Sequence, residues 1–322
     1  VTSVVFAGCG SGDKAGTETA DSGKPPAEGE LTIAVIPKGT THSYWKSVET
    51  GANAAGKEFG AKILWKGPLK EDDRSGQIQI VQGFAADKVS AIVLAPLDDK
   101  ALASPVADAS SKGIPVVVID SALQGEAGKD FVSLVATDNE KAGELGGERL
   151  AKLLGGKGKV VLLRYSVGSA STEAREAGFL KAIAKFPGIT VISDKMYAGA
   201  TQSEAQTKAM QMIDVLKTAD GVFTPNESST LGMLQALVSS NLSGKIKFVG
   251  FDTSAELIED LKKGQVDALV AQNPVKMGYE GVKAAIEKIK GKTVEKSIDT
   301  GVAVIDKENL ETPDIQKLLA GK

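Results

Sequence analysis

From Leu31 onward, short apolar runs alternate with longer amphipathic stretches. The runs LTIAVIP (31–37), AKILWKG (61–67), SAIVLAP (90–96), PVVVID (115–120) and DFVSLVATDN (130–139) read as strands. Helices are predicted between them at 44–59, 73–86 and 101–112. In the first helix, Trp45, Val48, Ala52, Ala55 and Phe59 recur at the three- and four-residue spacing of one inward face. A further helix runs to about Leu154, and the series then restarts. Strands at 159–166, 189–196, 221–226, 247–252 and 267–273 are separated by helices at 172–186, 202–218, 227–239 and 254–263. A helix at 275–290, a strand over 301–305 and a C-terminal helix complete the pattern. Strands that alternate with helices predict βαβ units and parallel sheets. Two such series predict an α/β protein of two doubly wound lobes.

Polar residues break this pattern at the strand ends. VVVID ends at Asp120, GVFTPN at Asn226, KFVGFD at Asp252 and ALVAQ at Gln272. Residues just past the carboxyl ends of parallel strands point into the crevice where such sheets bind ligands. Two lobes facing each other would form a cleft with polar walls on both sides, suited to a small, hydroxyl-rich ligand. Arg175 stands one turn ahead of the apolar stripe Phe179, Ile183, Phe186, so it is expected to face inward and to need a partner. A structural salt bridge is its bland alternative. Asn226 also reads as a helix cap. Asp252 has that reading too, but Thr253 with Glu256 can cap the next helix instead.

Composition narrows the function. The chain has 322 residues, a length suited to two domains, with 42% hydrophobic and 25% charged residues. A formal net charge of -3 argues against nucleic-acid binding by bulk electrostatics. No apolar stretch approaches the roughly 18 residues of a membrane span. With a single cysteine and a single histidine, an internal disulfide and a His/Cys metal cluster are both excluded. A Ser-His-Asp triad would have to use His42, and no G-x-S-x-G elbow accompanies it. GGKGKV lacks the spacing of a phosphate-binding loop. Neither an enzyme nor a cofactor is expected.

The first 30 residues stand apart. VVFAGC resembles the lipobox of bacterial lipoproteins, which implies lipidation of Cys9 and a signal peptide whose charged start lies upstream of Val1. Residues 10–30 are small and polar, the composition of a flexible tether.

Within the folded part, the segments IPKGTTHSYW, VVVIDS, VATDN, GSASTEAREAGF, FTPNESSTLGMLQAL, FVGFD and VAQNP carry a family resemblance. From residue 31 to about 305 the chain resembles type I periplasmic binding proteins of the ribose-binding kind, the receptors of sugar ABC transporters. The resemblance implies two lobes joined by three hinge crossings, near Thr137–Asn139, Gln272–Pro274 and Thr300–Val302. The first lobe would comprise 31–137 and 274–300, and the second 138–273 and 301–322. His42, Tyr44 and Trp45 match a stretch that bonds sugar hydroxyls and stacks on the ring. Asp120 and Ser121 match an Asp-Arg pair. Arg175, Asn226, Asp252 and Gln272 match further polar ligands, with Phe251 near the ring. The chain departs from the ribose binders at Lys38, His42 and Ser121. At Lys38 it resembles the receptors for autoinducer-2 and rhamnose.

The expected protein is therefore a monomeric, tethered, extracytoplasmic lipoprotein. It would bind a pentose, hexose, ketose or deoxy sugar and deliver it to a membrane permease. It would touch the membrane only through its lipid anchor and would bind no nucleic acid. The alternative is a signalling receptor that presents a sugar or an autoinducer-2-like ligand to a membrane sensor. A transcriptional regulator would need a helix-turn-helix ahead of Leu31, and none is present.

Overall fold

The computed structural model describes residues 1–2 and 30–321. Cys9 and the tether that follows it lie outside the described residues. The first series forms β1 (Leu31–Ile36), α1 (Ser43–Phe59), β2 (Ala61–Trp65), α2 (Arg74–Ala86), β3 (Ala91–Leu94), α3 (Ala103–Ser111), β4 (Val116–Ile119) and β5 (Leu134–Ala136). The second forms α4 (Asn139–Leu153), β6 (Lys157–Leu162), α5 (Ala170–Ile183), β7 (Gly188–Ser193), α6 (Gln202–Gln211), α7 (Ile213–Leu216), β8 (Gly221–Phe223), α8 (Glu227–Ser239), β9 (Lys247–Phe251), α9 (Ala255–Lys263) and β10 (Ala268–Gln272). The chain ends with α10 (Pro274–Ile289), β11 (Ser297–Asp299), β12 (Val302–Ile305) and α11 (Pro313–Leu319).

These strands build two six-stranded sheets of the same winding order, β11-β5-β4-β3-β1-β2 and β12-β10-β9-β8-β6-β7. Both sheets are covered on both faces, which is why their strands read as continuous apolar runs. Along β1, Ile33 and Val35 pack with α1 and α10, while Ala34 and Ile36 pack with α2 and α3. The second sheet is sandwiched in the same way. The predicted stripe of α1 faces inward: Trp45, Val48, Ala52 and Ala55 are buried and Phe59 is partly so. The helix stops at Gly60, whose φ of 72° continues no right-handed turn.

The chain passes between the sheets three times, after β5, after β10 and after β11. Between the last two passages α10 returns to the first sheet and packs on α1, β3 and β4. Thr137 and Thr300, on two of these crossings, hydrogen-bond at 3.3 Å.

In each lobe one helix pair packs backbone against backbone. A Cβ on Gly51 of α1 would overlap the Val275 carbonyl of α10, and one on Gly278 would overlap that of Val48. In the second lobe Gly143 of α4 lies against the Arg175 carbonyl of α5, and Gly178 against that of Glu140. Only glycine permits so close an approach.

Three details depart from the sequence reading. β12 pairs antiparallel with β10. It is reached by a short link from β11 rather than through a helix, so the rule that makes crossovers parallel does not act on it. β11 itself was not predicted. It has only three residues, and only Ile298 is apolar. The helix expected over 202–218 breaks at Met212 into α6 and α7.

Candidate functional site

The carboxyl ends of the two sheets face each other, and a cavity rich in polar side chains lies between them. Lys38, His42, Tyr44, Trp45, Glu71, Asp120, Ser171, Thr172, Arg175, Asn226, Glu227, Asp252 and Gln272 line it. The space between these side chains is about 300 Å³, counting the part open to solvent. Nine of the expected ligand residues are on this wall. Ser121 and Phe251 are behind it. Ser121 Oγ accepts the Ser171 N–H at 3.0 Å. The Phe251 ring lies under the Arg175 guanidinium, 4.3 Å from its centroid.

In the first lobe, Asp120 follows β4 with φ 65°, a conformation that Asp and Asn tolerate better than bulkier residues. Its carboxylate pairs with Lys38 Nζ at 2.7 Å and accepts the Tyr44 hydroxyl at 2.9 Å. Lys38 Nζ also donates to Ser171 Oγ of the opposite lobe at 2.8 Å. Burial, and then the charges of Asp120 and Asp252, push the Tyr44 phenol well above its usual pKa, so it remains a donor.

His42 stands at the N-cap of α1 but does not cap it. Its Nδ1 instead pairs with Glu71 Oε1 at 2.7 Å. Burial alone would lower the imidazole pKa. The charge and hydrogen bond of Glu71 outweigh it, with Glu227 and Asp252 adding, and raise it from 6.5 to about 9. The same pair draws Glu71 down to about 2 against its own burial. His42 is therefore an imidazolium at neutral pH. Its Nε2 is buried without a partner among the described residues, a free donor at the cavity wall. Glu71 also accepts Trp45 Nε1 at 2.6 Å and, across the cleft, the Tyr165 hydroxyl at 2.8 Å.

In the second lobe, Asp252 follows β9 with φ 72°. It accepts Gln272 Nε2 at 2.7 Å and the Glu227 N–H at 2.8 Å. Burial raises its pKa from 3.8 to about 6, even though Arg175 and the Gln272 hydrogen bond oppose the rise. Asp252 does not cap α9, the helix that follows it. The α9 cap is Ser254, whose hydroxyl accepts the Leu257 N–H at 3.2 Å, so the expected Thr253–Glu256 box is corrected. Asn226 does cap α8, in a reciprocal box with Ser229, and lines the cavity as well. Arg175 donates to Asn139 Oδ1 at 2.8 Å, the Pro225 carbonyl at 3.0 Å and Gln272 Oε1 at 2.8 Å. Those partners are neutral, so the carboxylate bridge considered for it is not what holds it.

Four lining residues were missed from sequence. Ser171 and Thr172 had a signal, since they lie four and three positions before Arg175 on one helix face. Glu227 resembled an ordinary acidic residue in a first helical turn. Glu71 sits in the loop between β2 and α2, where nothing marks it.

The wall offers ammonium, imidazolium, guanidinium and amide donors beside carboxylate, amide and hydroxyl acceptors. Such a mixture suits groups that donate and accept at once, as sugar hydroxyls do. Comparison with known proteins agrees in kind. The sequence profile described as "Periplasmic binding protein domain" matches residues 33–293. The chain is 31% identical to the ribose import binding protein of Bacillus subtilis, over 84% of this chain and 85% of that one. It is 30% identical to a D-ribose/D-allose-binding protein of Pseudomonas aeruginosa, over 83% and 85%. Among solved structures, it is similar to a carbohydrate transporter solute binding protein of Agrobacterium radiobacter in complex with D-arabinose. That likeness has a TM-score of 0.86 and 36% identity, over 91% of this chain and 99% of that one.

Proposed function

Because the chain belongs to the periplasmic binding protein domain family, we propose that it is the sugar receptor of an ABC importer. It takes a single small sugar into the interlobe cavity and presents the closed complex to a membrane permease. Family membership makes it an extracytoplasmic transport component of a non-enzyme family. We further propose that it leaves the sugar chemically unchanged, that it acts as a monomer, and that it is held to the membrane by a lipid on Cys9.

One observation carries the reading: donors and acceptors from both lobes converge on a single cleft. Lys38, His42, Tyr44, Trp45 and Asp120 come from one side, and Arg175, Asn226, Asp252 and Gln272 from the other. A small ligand reaches both sets only when the lobes are together, so its binding favours closure. The crossings after β5, β10 and β11 are the proposed hinges.

The test is a thermal-shift and calorimetric screen with D-ribose, D-allose, D-arabinose, D-fucose and D-tagatose. At least one should raise the melting temperature and titrate with one-to-one stoichiometry. If no sugar or polyol binds, the reading fails.

A further inference from the structure

The start of α1 is capped by a residue of the opposite lobe. Helix N-termini leave backbone N–H groups without intrahelical partners. His42, at the N-cap, is turned away to Glu71, so the helix has no cap of its own. The Glu227 carboxylate of α8 fills the place. Its Oε1 accepts the Ser43 N–H at 3.0 Å and the Ser43 hydroxyl at 2.7 Å, and its Oε2 accepts the Tyr44 N–H at 2.9 Å. Glu227 is buried and is itself held from behind, because its N–H donates to Asp252.

We propose that Glu227 is a positioning residue that sets how readily the lobes close. Its charge lies against the positive end of the α1 dipole, in hydrogen bonds that are partly buried and charge-assisted. The contact exists only when the lobes meet. It fixes the segment His42–Trp45 against the second lobe whichever sugar is bound, and it ties that segment through one backbone N–H to Asp252. Glu227 therefore acts on the open–closed equilibrium and not on the choice of sugar. A binding-competent state that is less populated weakens every ligand by the same factor.

Small-angle scattering of the sugar-free protein tests this without any ligand, so it stands or falls apart from the sugar-receptor reading on which the proposal otherwise rests. Glu227→Gln should give a larger radius of gyration than the parent. Ser43→Ala removes one donor and lies off the cavity wall, so it should shift the radius the same way by less. In calorimetry with those sugars of the five named above that bind the parent, Glu227→Gln should weaken all by one common factor, about tenfold for loss of a charge-assisted contact. Unchanged radii in both variants would overturn the proposal. So would a loss confined to some sugars, which would make Glu227 a ligand contact. Should Glu227→Gln fold poorly, the Ser43→Ala radius decides.

Discussion

Asp120 in the first lobe and Asp252 in the second each follow the fourth strand of a series. Both hold a left-handed backbone, with φ of 65° and 72°. Their surroundings differ. Asp120 is bonded to the buried ammonium of Lys38. Asp252 bonds an amide and a backbone N–H, and burial, with the Glu227 charge adding, raises its pKa to about 6 against the pull of Arg175. One fold position thus holds a carboxylate paired with an ammonium in one wall and a carboxyl whose pKa is raised to about 6 in the other. The repeated winding dictates where the backbone turns. The surroundings decide which partners the carboxyl meets there.

The sharpest break of this comparison is Asp120→Asn. Asn keeps the left-handed backbone available but leaves Lys38 buried without its counter-charge. Unfolding free energy should fall by about 3 kcal/mol, the low end for a broken buried pair, since the amide oxygen still accepts. Denaturant titration measures it. Asp252→Asn should cost far less at neutral pH, and an equal loss in both variants would erase the distinction.

The pH dependence comes next. A folded pKa of about 6 against 3.8 means that the native state favours the protonated carboxyl of Asp252. Its stabilisation is complete below about pH 4 and is lost as pH rises through 6. The His42–Glu71 pair in the other wall runs oppositely at acid pH. Its contribution is complete between about 4.5 and 6.5, falling away toward 2 and toward 9. Asp252→Asn should therefore remove a declining slope between pH 4 and 6, read as the difference between variant and parent unfolding curves. A variant with the parent slope would show that Asp252 does not titrate there.

Arg175→Ala should weaken sugar binding at least about tenfold, because a charged donor is lost and Gln272 and the Pro225 carbonyl are stranded. Normal affinity in calorimetry would mean that the residue only braces the second lobe. The smallest expected effect is at Ser254→Ala. Loss of the α9 cap should cost about 1 kcal/mol, whereas Thr253→Ala should cost little. The reverse result would restore Thr253 as the cap.

The alternation of runs and stripes made the two sheets legible because buried parallel strands leave little room for polar residues. The same exclusion exposed Asp120, Asn226, Asp252 and Gln272 at the strand ends. Glu71 was invisible for the complementary reason. It lies in a loop of charged and polar residues, and only the three-dimensional meeting with His42, Trp45 and Tyr165 distinguishes it from its neighbours. Glu227 was hidden by a commoner explanation, since acids belong in first helical turns. Its partner turned out to be a different helix. The antiparallel β12 had no signal because strand direction is set by the route of the connection and not by the apolar pattern.

The paired glycines of α1–α10 and α4–α5 bear on how this molecule can change over generations. Each pair fixes a helix spacing from which no side chain can be added without moving backbone. The Gly143 contact lies directly on the carbonyl of Arg175. A random substitution library should be depleted at Gly51, Gly143, Gly178 and Gly278 even when selection is for a different sugar. Substitutions on the cavity wall can retune it while these four positions hold the framework to one geometry. Inheritance is permissive at the walls and strict at the joints, so new ligands can be acquired on an unaltered chassis.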